Sequence, residues 1–164
     1  MAQNPPLARL ELSRSGIKNN YDHFRSLLKP ETKILILVKA NGYGHGAVPF
    51  AKEMEQLGAA YLGVALPIEG VELRKAGVDL PILVLTTGSD DYPEIVRYGL
   101  EPGIPDLLAL RRLRDELRKA GRRGYPVHVN IDTGMHRLGF MEREVPSLIE
   151  FLKESPEIHI EGLY

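Results

Sequence analysis

Short runs of apolar, branched residues alternate along this chain with stretches whose apolar positions repeat at helical spacing, and no other feature restricts the fold as strongly. The runs at residues 34–38, 61–65, 82–85, 127–131 and 158–163 read as buried strands. A weaker candidate, 100–104, is interrupted by Pro102 and Gly103. Between them, Ala47, Phe50, Ala51 and Met54 share one helical face, as do Leu107, Leu110, Leu113 and Leu117, and Val145, Leu148, Ile149 and Leu152. Gly77, Gly99 and Gly121 fall where helices should end, and Pro146 falls near the start of another. A helical crossover returns the chain to the same end of a sheet, so the strands must run parallel and the fold class is α/β. A doubly wound open sheet and a β/α (TIM-type) barrel both satisfy the pattern, and six strand candidates after residue 30 do not fill an eight-stranded barrel. Residues 9–12 form an earlier apolar piece, followed by a helix with Ile17, Tyr21, Phe24 and Leu28 on one face. That piece reads either as a seventh strand or as part of another element.

Composition narrows the functional classes. A length of 164 residues suits one ordinary domain with its own core. A net charge of -1 offers no basic field for nucleic acid. The absence of cysteine excludes disulfides, thiolate metal sites and cysteine nucleophiles. No apolar run approaches the roughly 20 residues of a membrane span, and the start lacks a basic end followed by an apolar stretch. The expectation is a soluble, cytoplasmic protein that binds neither nucleic acid nor membrane. Arg111, Arg112, Arg114, Arg118, Arg122 and Arg123 interleave with Asp115 and Glu116 on an amphipathic helix and read as its solvated face.

Two segments carry chemistry. At the carboxyl end of the 34–38 strand stands Lys39-Ala40-Asn41-Gly42-Tyr43-Gly44-His45-Gly46, at the end of a parallel sheet where active sites are built. A lysine directly after five apolar residues starts in a poorly hydrated place, which favours the free amine as nucleophile or base and suits a Schiff base. The glycines let backbone approach a ligand, and the helix that starts after them can present N–H donors to an anion, with the Tyr43 hydroxyl as a further donor. Nucleotide-loop patterns fit badly: the lysine precedes the glycines, and Pro49 occupies the third position of a G-x-G-x-x-G begun at Gly44. A cofactor with both an aldehyde and a phosphate fits better. The plain structural alternative is a lysine extending from a strand end beside a tight turn. His45 has no second histidine or carboxylate at metal-ligand spacing, so no metal is expected.

The second segment follows residues 127–131 and reads Asp132-Thr133-Gly134-Met135-His136-Arg137-Leu138-Gly139-Phe140. Arg137 can offer a planar fork to a carboxylate or phenolate oxygen. Alternatively, Asp132 and Thr133 only stabilise the turn by local backbone hydrogen bonds while Arg137 is a surface residue. His128 alternates with Val127 and Val129, a pattern in which it faces a helix layer rather than a pocket.

Together these segments resemble the alanine racemase family. Val-Lys-Ala-Asn-Gly-Tyr-Gly-His-Gly is similar to that family's cofactor-lysine signature, with Gly42 where alanine is usual, and Asp-Thr-Gly-Met-His-Arg-Leu-Gly-Phe is similar to its arginine signature. Residues 11–20, Gly63-Val64-Ala65, Glu69, Leu73-Arg74 and Glu161-Gly162-Leu163-Tyr164 extend the resemblance in the expected order over essentially the whole chain. It implies an eight-stranded β/α barrel, about six of whose strands are present, carrying pyridoxal 5'-phosphate as a Schiff base on Lys39. Tyr43 would contact the phosphate, and Arg137 would engage the substrate carboxylate and the cofactor's phenolic oxygen. The cofactor acts as electron sink, and Lys39 is the base on one face of the α-carbon.

The resemblance further implies D-alanine supply for cell-wall peptidoglycan by a homodimer. The opposing base, a tyrosine, would come from a β-rich carboxyl-terminal domain of the partner subunit that residues 1–164 do not contain. On that basis residues 1–164 are expected to be the amino-terminal part of the barrel, marginally stable and inactive alone. Rival readings are a serine or broad-spectrum racemase, a non-catalytic pyridoxal-phosphate-binding barrel, and a remnant without stable fold or cofactor. Two positions depart from the family. Asn130 stands where many members carry a carbamylated lysine that braces the arginine, leaving Arg137 to be oriented by a neutral amide, a bound anion or another residue; Arg14 stands at a usually apolar position.

Overall fold

A computed structural model describes residues 10–164. Of the stretch 9–12, residue 9 lies outside the described residues, and 10–12 lead into the first helix without joining a strand. The order of elements is α1 (Arg14–Ser26), β1 (Leu35–Leu37), a single turn α2 (Lys39–Tyr43), α3 (Ala47–Gln56), β2 (Tyr61–Val64), α4 (Pro67–Lys75), β3 (Ile82–Val84), α5 (Tyr92–Tyr98), β4 (Glu101–Ile104), α6 (Leu107–Lys119), β5 (Tyr125–Val129), α7 (Val145–Lys153) and β6 (Ile158–Leu163). No helix among the described residues is long and apolar enough to cross a membrane.

All strand pairs are parallel, and the strand order is β1-β2-β3-β4-β5-β6 without a reversal. A doubly wound sheet must reverse direction at a switch point, so this consecutive order is that of a β/α barrel. The sheet is not closed: β1 and β6 each have a neighbour on one side only among the described residues.

The strand face turned to the helices forms the core. Leu62, Val64, Ile82, Val84, Ile104, Val127 and Val129 have no exposed surface and join one cluster with Ile95, Leu110, Leu113 and Leu117. Burying each such side chain contributes roughly 1.5–3 kcal/mol relative to exposure. Helix α6 forms because those leucines share a face and because Asp106 caps it, accepting from the Ala109 N–H at 2.8 Å. The glycines at 77, 99 and 121 take φ of 78°, 58° and 62°, the left-handed helix exits their positions suggested.

Two arginines of α6 are more than a solvated face. Arg114 lies 4.3 Å over the Phe151 ring and reaches Ser155 Oγ at 3.2 Å, and Arg118 pairs with Glu157 at 2.8 Å. They tie α6 to α7 and the entry to β6, and Arg118 holds the Glu157 carboxyl below its ordinary range. Arg14 is accounted for by an ion pair with Glu53 at 3.1 Å.

Candidate active site

The end of β1 is not the simple tight turn of the plain structural alternative. Val38 is fully buried, and its N–H bonds the Gly63 carbonyl on β2 at 2.8 Å, so Lys39 leaves the sheet from a fixed point. The next four residues, Ala40, Asn41, Gly42 and Tyr43, take φ of 51°, 53°, 61° and 54°, a complete turn of left-handed helix. For residues other than glycine this hand costs roughly 1–2 kcal/mol each, and such strain persists only where surrounding bonds determine it.

Those bonds are visible. The Gly42 N–H returns to Val38 O at 2.8 Å and the Gly46 N–H to Asn41 O at 2.9 Å. The Asn41 side-chain oxygen accepts from the Ala47 N–H at 2.9 Å. Glu69, on the first turn of α4, accepts from the Ala40 N–H at 2.6 Å through one oxygen and from Ala65 and Leu66 N–H at 2.7 and 3.0 Å through the other. A Cβ on Gly42 would stand 3.3 Å from Ala47 Cα, a tight fit in a conformation that already disfavours a side chain.

One expectation for this loop needs correcting. The start of α3 is not an open row of anion donors, because Asn41 takes the Ala47 N–H and Pro49 has none. Of the first three helical positions only Val48 keeps an N–H for a ligand. Lys39 itself is half-buried, Tyr43 is 57% exposed, and neither side chain makes a hydrogen bond or ion pair among the described residues. His45 lies with its ring centroid 6.2 Å from that of Phe50 and joins no metal-type cluster among the described residues.

The loop after β5 opens at the same, carboxyl, end of the sheet. Asp132 organises it: its carboxylate accepts from the Gly134 and His136 N–H groups at 3.0 and 2.9 Å and meets His136 Nδ1 at 2.9 Å. The Gly134 amide first, then that of His136, holds the Asp132 carboxyl down at about 2. The loop closes through Asp132 N–H to Phe140 O at 2.9 Å and Phe140 N–H to Asn130 O at 2.8 Å, with Phe140 fully buried as its anchor. Arg137 is exposed at the tip and is held by no hydrogen bond or ion pair among the described residues. Asn130 does not brace it: no hydrogen bond joins the two side chains among the described residues, and the Asn130 side chain lies beside the Tyr164 hydroxyl, whose pKa is raised by burial. Gly103 makes room for that tyrosine, since a Cβ there would lie 2.3 Å from the Tyr164 hydroxyl oxygen.

His128 does not face the helices. Val127 and Val129 do, and His128 points to the opposite face of the sheet, where Nε2 meets Glu101 at 2.8 Å and the ring stands edge-on to Tyr61 with centroids 5.7 Å apart. Burial, with Glu101 and Glu161 nearby, pushes the Tyr61 hydroxyl well above its ordinary range. Tyr61 and Glu101 open their strands, so this cluster lies toward the amino end of the sheet, the end that serves stability in barrels rather than chemistry.

The structure thus brings the Lys39 turn and the Arg137 loop to one end of the sheet and leaves the Lys39, Tyr43 and Arg137 side chains without a hydrogen bond or ion pair among the described residues. Glu69 is the part of this site whose contact with the Lys39 turn the pattern of the chain did not reveal. Its signal was an acidic residue at the third position of a helix directly after a strand, the acidic half of a capping box.

Comparison with known proteins agrees with this geometry. The family described as alanine racemase, N-terminal domain, matches residues 12–164. An alanine racemase of Desulfovibrio desulfuricans is 35% identical over 157 residues, covering 94% of this chain and 42% of its own length. A solved alanine racemase of Clostridium difficile superposes with a TM-score of 0.82 at 35% identity, covering 89% of this chain and 38% of that one. Another, from a D-cycloserine-producing Streptomyces lavendulae, gives 0.85 at 28% identity, with 92% and 40% covered. The chain therefore spans about two fifths of the length of the relatives it matches.

Proposed function

Because the chain belongs to the alanine racemase family through residues 12–164, we propose that it serves the interconversion of L- and D-alanine with pyridoxal 5'-phosphate held on Lys39. The observation that carries this reading is the strained left-handed turn from which Lys39 issues directly after β1, at the sheet end shared with Arg137. The donor set suits the cofactor: an amine for an aldehyde carbon, a hydroxyl on Tyr43 for phosphate and a guanidinium on Arg137 for oxyanions. When bound, pyridoxal phosphate withdraws electrons from the amino acid's α-carbon so that its proton becomes removable.

The chain's own part is to bind, orient and move that proton. Arg137, unencumbered at its loop tip, would take the substrate carboxylate and the phenolic oxygen in its planar fork. Lys39 Nζ would carry the proton to or from one face of the α-carbon. In this reading residues 1–164 form the amino-terminal part of the cofactor-binding barrel. The opposing base comes from a β-rich domain of a partner subunit in a cytoplasmic homodimer that supplies D-alanine for peptidoglycan.

The test is the absorbance of the full chain with pyridoxal phosphate before and after borohydride, followed by peptide mapping, with D-alanine formation measured in the full-length protein. Reduction is expected to fix the cofactor on Lys39, and Lys39→Ala to abolish the adduct and lower racemisation by about 10²–10⁴-fold or more. An adduct on another lysine, or none, overturns the assignment.

A further inference from the structure

We propose that Glu69 is the positioning residue of the site, and that its carboxylate holds the left-handed turn from which Lys39 is presented. The inference rests on the reading of Lys39 as the cofactor's anchor. Its basis is a clamp between two successive strand-to-helix connections, made by a side chain 29 residues after the amide it holds. Oε1 receives the Ala40 N–H, the amide directly after Lys39, and Oε2 receives the N–H groups of Ala65 and Leu66. Among the described residues that Ala40 N–H has no other partner, and Ala40 is a non-glycine residue at φ 51°. Among the described residues the turn's other hydrogen bonds run within residues 38–47, apart from Val38 N–H to Gly63 O on β2, so Glu69 is the one side chain there that hydrogen-bonds it to the next connection of the barrel.

The clamp requires a carboxylate. Three N–H groups converge on two acceptor oxygens, so an amide of the same size fails in either orientation. With its oxygen toward Ala65 and Leu66, the NH₂ of a glutamine faces the Ala40 N–H; turned over, it faces the other two. A helix start needs no such arrangement, since an ordinary cap reaches only its own first turn. The link to Ala40 is the part that serves Lys39.

Glu55 supplies a matched control. Its Oε1 alone accepts from the Asp79 and Leu80 N–H groups at 3.2 and 3.3 Å, leading into β3 at the other end of the sheet, so a glutamine there keeps an oxygen for both amides. Pyridoxal phosphate affinity and the rate of borohydride fixation on Lys39 are measured for the full chain, Glu69→Gln and Glu55→Gln. Glu69→Gln is expected to weaken cofactor binding about tenfold or more and slow fixation, while Glu55→Gln stays within about twofold of the parent. Equal behaviour of the two variants, or an unaltered Glu69→Gln, overturns the proposal. Amide exchange in the unsubstituted chain needs no variant to fold. The Ala40 amide is expected to be protected although it lies outside any regular helix, and exchange at the unprotected rate also overturns the clamp. If the unsubstituted chain fixes cofactor on a lysine other than Lys39, the functional reading fails; if fixation is on Lys39 and indifferent to Glu69, only the clamp fails.

Discussion

The two loops at the carboxyl end of the sheet are held in opposite ways. The Asp132–Phe140 loop is self-contained: Asp132 bonds amides two and four residues ahead, and Phe140 closes back on Asn130. The Lys39 turn is strained in itself and takes its outside support from Glu69 on the next βα unit. A locally folded loop can keep its shape while its arginine tip stays open to a ligand. A strained turn held from a neighbouring unit fixes where a side chain emerges, which suits a residue that must meet one atom.

The largest break in this contrast is expected where the self-contained loop has no room to adapt. A Cβ on Gly139 would lie 2.7 Å from Asp132 N, 2.8 Å from Asn130 Oδ1 and 3.0 Å from Asn130 O, at a φ of 118°. Backbone atoms cannot move aside cheaply, and both overpacking and the backbone conformation oppose the substitution. Gly139→Ala should lower stability by about 3 kcal/mol or more, read as a shift in the urea midpoint. A loss below about 1 kcal/mol would mean that the loop is looser than its bonds imply.

A middle-sized effect tests the strained turn from inside. Asn41→Ala removes the acceptor for the Ala47 N–H and puts alanine in a conformation that asparagine tolerates better. A loss of about 1–2 kcal/mol is expected, with faster exchange of the Ala47 amide. If stability falls while Ala47 stays protected, another group caps α3 and the turn is less self-restrained than described.

How far each region can be read from the chain follows the same division. The helix exits at Gly77, Gly99 and Gly121 and the Asp132 turn are local, and residue type announces them. Strand β5 begins at Tyr125 rather than at residue 127, because Pro126 reads as a break yet sits in the strand, and it ends at Val129 because Ile131 turns to bridge Phe140. The left-handed turn is hidden because Ala40 and Tyr43 are not residues that declare positive φ; only Asn41 and the glycines around them hint at it. Glu69 is hidden for a deeper reason: it stands out only through the family resemblance, and nothing in spacing brings it to an amide 29 residues earlier. His128 misleads in a third way, since alternation separates the two faces of a strand without saying which one lies against helices.

The smallest expected effect isolates the charge of Asp132 from its geometry. Its folded carboxyl is held at about 2 against an ordinary 3.8, chiefly by the Gly134 and His136 amides. A depressed carboxyl contributes its stabilisation above the unfolded value and loses it as pH falls through the folded one. The loop should therefore be intact at neutral pH and above about pH 4, and loosen as pH falls toward 2. Asp132→Asn keeps an oxygen for both amides and turns its NH₂ toward His136 Nδ1, which accepts when the ring is neutral. At neutral pH the variant should leave the loop nearly unchanged, and its Gly134 and His136 amide resonances should show no step between pH 4 and 2. The parent should show one centred near 2. A parent step near 4 would mean that those amides do not favour the charged carboxylate, and a step of equal size in the variant would trace it to another group; either would remove the self-contained loop from the comparison.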